Sequence, residues 1–155
     1  MPLIDTPVLP FGEARPAINM RGVMYLVGAF QLGVGVTLLV PAVVDFANGD
    51  PDWAVFMASA TAAGFAGAML LFANRGRMTR LNIREAFLLT TLAWVTVAAV
   101  AALPFVFSRV ALSYTDAYFE VVSGLTTTGA TVITRLDTHP IGILLWRGML
   151  QLLGG

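Results

Sequence analysis

Apolar residues in this chain come in long, charge-free runs, and each is close to the roughly 20 residues an α-helix needs to cross about 30 Å of hydrocarbon. Three such runs cover residues 22–44, 53–73 and 86–107, and a fourth starts near Pro140. At 57% hydrophobic and 12% charged, the chain has about half the charge of a typical soluble domain. It cannot cover a water-facing surface with polar groups, and its natural solvent is lipid. The fourth run reaches only to Gly155, which leaves about 24 Å of helix. The expected fold is therefore an all-α, polytopic membrane protein whose last helix is truncated, and the sequence reads as a fragment.

The same composition excludes several functions. Net charge is zero and all nine basic residues are Arg, with no basic patch interleaved with aromatics, so no nucleic-acid partner is indicated. The chain has no cysteine, which removes disulfides, thiolate metal sites and cysteine nucleophiles. No nucleophile–base pair, phosphate-cradling glycine loop or HExxH motif is present, so no enzyme activity is expected. His139 has neither Cys nor carboxylate neighbours in sequence and reads as a loop residue rather than a metal ligand.

Loop charges predict the orientation. Residues 45–52 hold Asp45, Asp50 and Asp52 and no Arg, whereas residues 74–85 hold Arg75, Arg77, Arg80 and Arg84. Arg15 and Arg21 add to the first 21 residues, a proline-rich stretch with no signal-peptide pattern. Basic residues in short loops stay cytoplasmic. The N-terminus is accordingly placed in the cytoplasm, residues 45–52 outside, where the aspartates solvate a loop, and the Arg-rich loop inside. Small residues at Ala29 and Gly33, Ala60 and Gly64, and Ala63 and Gly67 have the four-residue spacing that lets helices approach closely in lipid. Gln31, in mid-span, is expected to bond a neighbouring helix. Three units follow: a cytoplasmic tail over 1–21, a two-helix membrane unit over 22–84, and a helix–loop–helix repeat over 85–155.

The loop of that repeat, residues 108–139, is not a soluble loop. Ser113 and Asp116 have capping-box spacing. The apolar stretch behind them predicts a helix over 114–125, about 18 Å long, able to enter a membrane but not to cross it. Thr126, Thr127, Thr128, Gly129, Ala130 and Thr131 follow. A short helix, a Thr/Gly strand and a return to the same side describe a re-entrant pore loop, because irregular backbone at membrane depth survives only where protein buries it or water lines it. Backbone carbonyls there can replace a cation's hydration shell. Gly129 allows dihedrals closed to other residues, and the helix's C-terminal end supplies partial negative charge.

One ion pair is predicted across this repeat. Arg147 lies about 10 Å along the fourth helix, and Glu120 lies at a similar depth in the short one. A charge at mid-membrane costs at least about 2.5–3.5 kcal/mol, so each should seek the other.

The run from Phe119 through Glu120, Ser123, Gly124, Thr126 and Gly129 to Thr131, with Trp146, Arg147, Gln151, Gly154 and Gly155 after it, resembles the first pore repeat of the Trk/Ktr potassium transporter superfamily, TrkH-type membrane subunits above all. The resemblance implies two leading helices before four helix–pore loop–helix repeats, of which this chain would carry one. It implies a K+ filter at Thr127, Thr128, Gly129 and Ala130. Some plant relatives have Ser at the first filter glycine and favour sodium, so Gly129 implies potassium selectivity. It also implies a homodimer of the full-length subunit in the plasma (inner) membrane and a cytosolic nucleotide-binding regulatory subunit, with K+ as transported ion and no covalent cofactor. Two other readings fit the same helices: a tetrameric cation channel with one pore loop per chain, and a non-transporting membrane assembly or interaction protein.

Overall fold

The computed structural model describes residues 18–76, 81–135 and 139–155. The predicted positions Arg15, Arg77 and Arg80, and most of the proposed tail, lie outside them. Among the described residues every regular element is helical: α1 (Met20–Ala47), α2 (Trp53–Ala73), α3 (Ile83–Ala101), α4 (Leu103–Phe107), α5 (Tyr114–Leu125) and α6 (Ile141–Gly154). Three segments are long and apolar enough to span a membrane, namely Met20–Ala47, Trp53–Ala73 and Ile83–Phe107. Large apolar side chains point outward from them, among them Phe65 at 72% and Phe87 at 73% exposure, a surface that suits lipid rather than water.

α1 and α2 form an antiparallel pair held at backbone distance. A Cβ added at Gly67 would lie 2.6 Å from the Leu32 amide nitrogen, and one at Gly28 would lie 2.8 Å from the Gly67 carbonyl oxygen. Further along, a Cβ at Gly35 would lie 2.9 Å from the Gly64 nitrogen. The α2 spacings Ala60/Gly64 and Ala63/Gly67 thus do line this crossing. On α1 the expected Ala29/Gly33 pair does not: Ala29 is exposed, and a Cβ at Gly33 would meet nothing within 4 Å. Gly28 and Gly35 are used instead. Seven residues are two helical turns, so they share a face as surely as residues four apart. Gln31 is buried on the same helix, and its Oε1 has no hydrogen-bond partner, so the expected interhelical bond is not made through that atom.

The third span is not one straight helix. Pro104 has no N–H to donate, and the ladder breaks where α3 passes into α4. The carbonyls left over find side-chain partners: Tyr114 Oη donates to Ala99 O at 3.1 Å, and Trp146 Nε1 donates to Ala101 O at 3.1 Å. The break therefore joins α3 to α5 and α6. Trp146, Phe105, Leu38, Phe56, Val121 and Ile143 are fully buried around this junction and form the core.

Each end of the bundle is tied by a carboxylate. At one end Glu85, which begins α3 rather than closing a loop, accepts from Asn82 N at 2.8 Å and from Asn19 N at 2.6 Å. At the other, Arg109 pairs with Asp50 and places Nε 3.5 Å from Asp52 Oδ1, and its own amide donates to Asp52 Oδ2 at 3.3 Å. The Asp50 carboxylate holds the Arg109 guanidinium above its ordinary pKa.

The crossing makes a direct prediction. Gly67→Ala should destabilise the protein by about 1–3 kcal/mol, because its methyl meets backbone that cannot yield. Gly33→Ala should be neutral within about 0.5 kcal/mol. Thermal unfolding of the two variants in the same detergent measures both.

Candidate functional site

α5 begins with Ser113, whose Oγ accepts from Asp116 N at 3.2 Å and donates to Asp116 Oδ2 at 2.7 Å. The helix ends after 12 residues at Leu125. It runs side by side with α6 in the same direction. Glu120 faces Arg147, a Cβ at Gly124 would lie 2.9 Å from Leu150 Cβ, and Leu125 lies against Gly154. α6 starts at the end of the bundle that holds Asp45. The chain therefore descends through α5, turns part-way along the spans, and climbs back through residues 126–135, and α6 starts near the entrance of α5.

The turn is organised by backbone amides that point backward. Thr127 N donates to Gly124 O at 2.9 Å, Thr128 N to Ser123 O at 3.0 Å and Gly129 N to Ser123 O at 3.3 Å. With the amides turned into the end of α5, the carbonyls of Thr126, Thr127, Thr128 and Gly129 accept no hydrogen bond among the described residues. Two residues adopt left-handed backbone to make this path, Thr127 at φ +56° and Gly129 at φ +73°. For glycine that costs little. For a β-branched threonine it costs about 1–3 kcal/mol and persists only where neighbours over-determine it. Here the Thr126 and Thr128 hydroxyls meet at 2.8 Å, and Thr126 Oγ1 also donates to Val122 O at 2.8 Å.

Ala130 differs from its neighbours, since its carbonyl accepts from Ser123 Oγ at 2.7 Å. Ser123 is buried and so holds the loop by both its carbonyl and its hydroxyl. Sequence reading missed this role. The one available signal was a polar residue in the last turn of a short apolar helix.

Beyond Ala130 the ascending chain is gripped by Glu120. Its Oε1 accepts from Thr131 Oγ1 at 2.6 Å, Val132 N at 2.6 Å and Ile133 N at 3.3 Å. Its Oε2 lies 3.0 Å from Arg147 Nε, with the Glu120 side chain fully buried and that of Arg147 16% exposed. The approach is an ion pair without good hydrogen-bond alignment at Oε2. His139 Nε2 lies 3.0 Å from Thr134 O and closes the return. Thr127, Thr128, Gly129 and Ala130 are all exposed, and among the described residues no cluster of His, Cys, Asp or Glu could hold a metal ion.

The aspartates at the α1 end depart from the expectation of a solvated loop. Asp52 is buried against Arg109, and Asp45, inside α1, is fully buried, with Oδ1 accepting from Gly142 N at 2.7 Å. Each has a partner more than 50 residues away, which local sequence could not show.

A family model described as "Cation transport protein", TrkH, matches residues 53–155, which take in α2 to α6 and the whole loop. The chain belongs to the TrkH family. It is 39% identical over 139 residues to the Trk system potassium uptake protein TrkH of Escherichia coli K12, across 89% of this chain and 29% of that one. It is 36% identical over 141 residues to TrkI of Halomonas elongata, across 90% of this chain and 27% of that protein. The crystal structure of the potassium transporter TrkH from Vibrio parahaemolyticus superposes with a TM-score of 0.82 at 38% identity, over 87% of this chain and 29% of that structure. The chain thus spans under a third of the length of these relatives. It is a multi-pass, all-helical membrane protein of a cation transport family, not of an enzyme family.

A TrkH-family loop gripped by one carboxylate should fail when that grip is broken. Glu120→Gln and Arg147→Gln should each cost about 3 kcal/mol, because each strands a buried charge or loses its counter-charge. The double variant should cost less than the sum. Denaturation of the four proteins of this cycle gives the coupling, and additive losses would show that the pair contributes nothing of its own.

Proposed function

We propose that this chain supplies the two leading helices and the first pore repeat of a potassium-uptake transporter, and that the loop at Thr127, Thr128, Gly129 and Ala130 is one wall of its K+ filter. One observation carries the reading: successive amides are turned back into α5, which leaves a run of carbonyls at Thr126, Thr127, Thr128 and Gly129 unbonded beside exposed backbone. Unbonded carbonyls at membrane depth are tolerable where water or an ion meets them. A dehydrated cation is the partner such oxygens suit. The C-terminal end of α5 points its partial negative charge at the same place. Ala130, its carbonyl held by Ser123, anchors the far end of the wall.

K+ is the transported ion in this reading. It is favoured by the relatives named as potassium uptake proteins and by glycine at position 129. No covalent chemistry or covalent cofactor is needed. A single loop lines one side of a pore, so the ring of carbonyls needs further loops, from the same polypeptide or from other copies. The division into 1–21, 22–84 and 85–155, a homodimer of the full-length subunit, a cytosolic nucleotide-binding regulatory subunit and residence in the plasma (inner) membrane with a cytoplasmic N-terminus belong to the same proposal. Rubidium uptake by the full-length protein separates it from a non-transporting assembly protein.

Two measurements test it. In the full-length transporter, Gly129→Ser should lower discrimination of potassium against sodium by about tenfold or more, because a side chain is forced into left-handed backbone beside the carbonyls. Ion preference equal to wild type would remove residues 127–130 from the filter. For orientation, a single Cys at Gly49 should react with an impermeant thiol reagent on intact cells, and one at Gly76 only after permeabilisation. The opposite pattern would invert the topology.

A further inference from the structure

The contact between α1 and α6 involves a buried carboxylate that neither the family match nor the filter reading employs. Asp45 is 0% exposed, yet it has no cation within ion-pairing distance among the described residues. Its Oδ1 accepts from Gly142 N at 2.7 Å and its Oδ2 has no partner. Gly142 is the second residue of α6, whose N-cap is Pro140 and which has no side-chain cap of its own. The first amides of a helix lack intrahelical partners and carry partial positive charge. Asp45 therefore supplies, from a position 97 residues away in sequence, the side-chain cap that α6 lacks. The fit is steric as well as electrostatic, because a Cβ at Gly142 would overlap the Asp45 carboxylate.

We propose that Asp45 is a positioning residue for ion selection: by capping α6 it sets the depth of that helix, and through Arg147 and Glu120 the path of the filter strand. This rests on the filter reading above. The connection runs through contacts already described. Asp45 holds Gly142. About a turn and a half further along α6, Arg147 meets Glu120, and Glu120 holds Thr131, Val132 and Ile133 directly behind the loop. The leading helix pair is then more than a membrane anchor, because α1 carries the reference point from which the pore repeat is hung. Asp50 and Asp52 do not share the task, since both are engaged by Arg109.

The test uses the full-length transporter carrying this segment, with rubidium uptake, its inhibition by sodium, and the amount of protein in the membrane measured together. At equal abundance, Asp45→Ala should reduce rubidium-over-sodium selectivity on the order of fivefold, and Asp45→Asn, whose amide oxygen still accepts from Gly142, by only about twofold. A purely structural role would lower abundance or melting temperature and leave selectivity at the wild-type value, which would overturn the proposal. Equal losses in the Ala and Asn variants would overturn it too, because the hydrogen bond would then be irrelevant. Should Asp45→Ala not accumulate, Asp45→Asn decides alone, and wild-type selectivity there counts against the proposal. Gly129→Ser is run in parallel. If it shifts selectivity and Asp45→Ala does not, only the positioning role fails. If neither does, the filter reading fails with it.

Discussion

One buried carboxylate, that of Glu120, has to be satisfied before the loop can exist. A charged group fully buried among apolar helices costs several kcal/mol unless it is paired and hydrogen-bonded. Here one oxygen takes three donors from Thr131, Val132 and Ile133, and the other meets Arg147. Those contacts are the same ones that draw the ascending chain against α5 and bind α5 to α6. Satisfying the charge and shaping the loop are therefore a single event. With Glu120 in place, the backbone between Leu125 and Thr131 has few conformations left. Thr127 is held in left-handed backbone that it would not adopt alone.

Two further groups of charges also join segments distant in sequence. Glu85 ties the start of α1 to the start of α3, and Arg109 ties the end of α4 to the loop between α1 and α2. The Arg109 pairs are partly exposed, with the guanidinium side chain at 56%, and contribute little stability individually. Their value is in alignment. Between these ends the helices are held by packing and a few buried polar contacts, because lipid is as apolar as a leucine side chain and drives no association of its own. The glycines at the α1–α2 crossing and the Trp146 and Tyr114 bonds across the Pro104 break therefore set the helix positions.

Elements with a local cause were legible. The bounds of α5 could be read from Ser113, Asp116 and the apolar residues between them, since capping and hydropathy act within a turn or two of chain. The spans were read from length and hydropathy, within a few residues at most ends. Apart from the break at Pro104, the departures from expectation arose where the cause was not local. Ala29 and Gly33 matched a spacing rule that Gly28 and Gly35 satisfy in space. Asp45 and Asp52 looked like solvated loop residues, and no hydrogen-bonding role was read for Ser123.

By itself the sequence determined that this chain lives in a membrane, where its three long spans run, and where a short helix and a Thr/Gly turn follow them. Hydropathy and capping operate over short stretches and need no fold to be read, whereas the break at Pro104 within the third span was not read from the sequence. Which face of α1 meets α2, which amides turn away from the loop's carbonyls, and which carboxylate caps α6 were decided only by the tertiary structure. Those choices depend on partners tens of residues apart, brought together because burying polar groups in an apolar bundle leaves no other way to satisfy them.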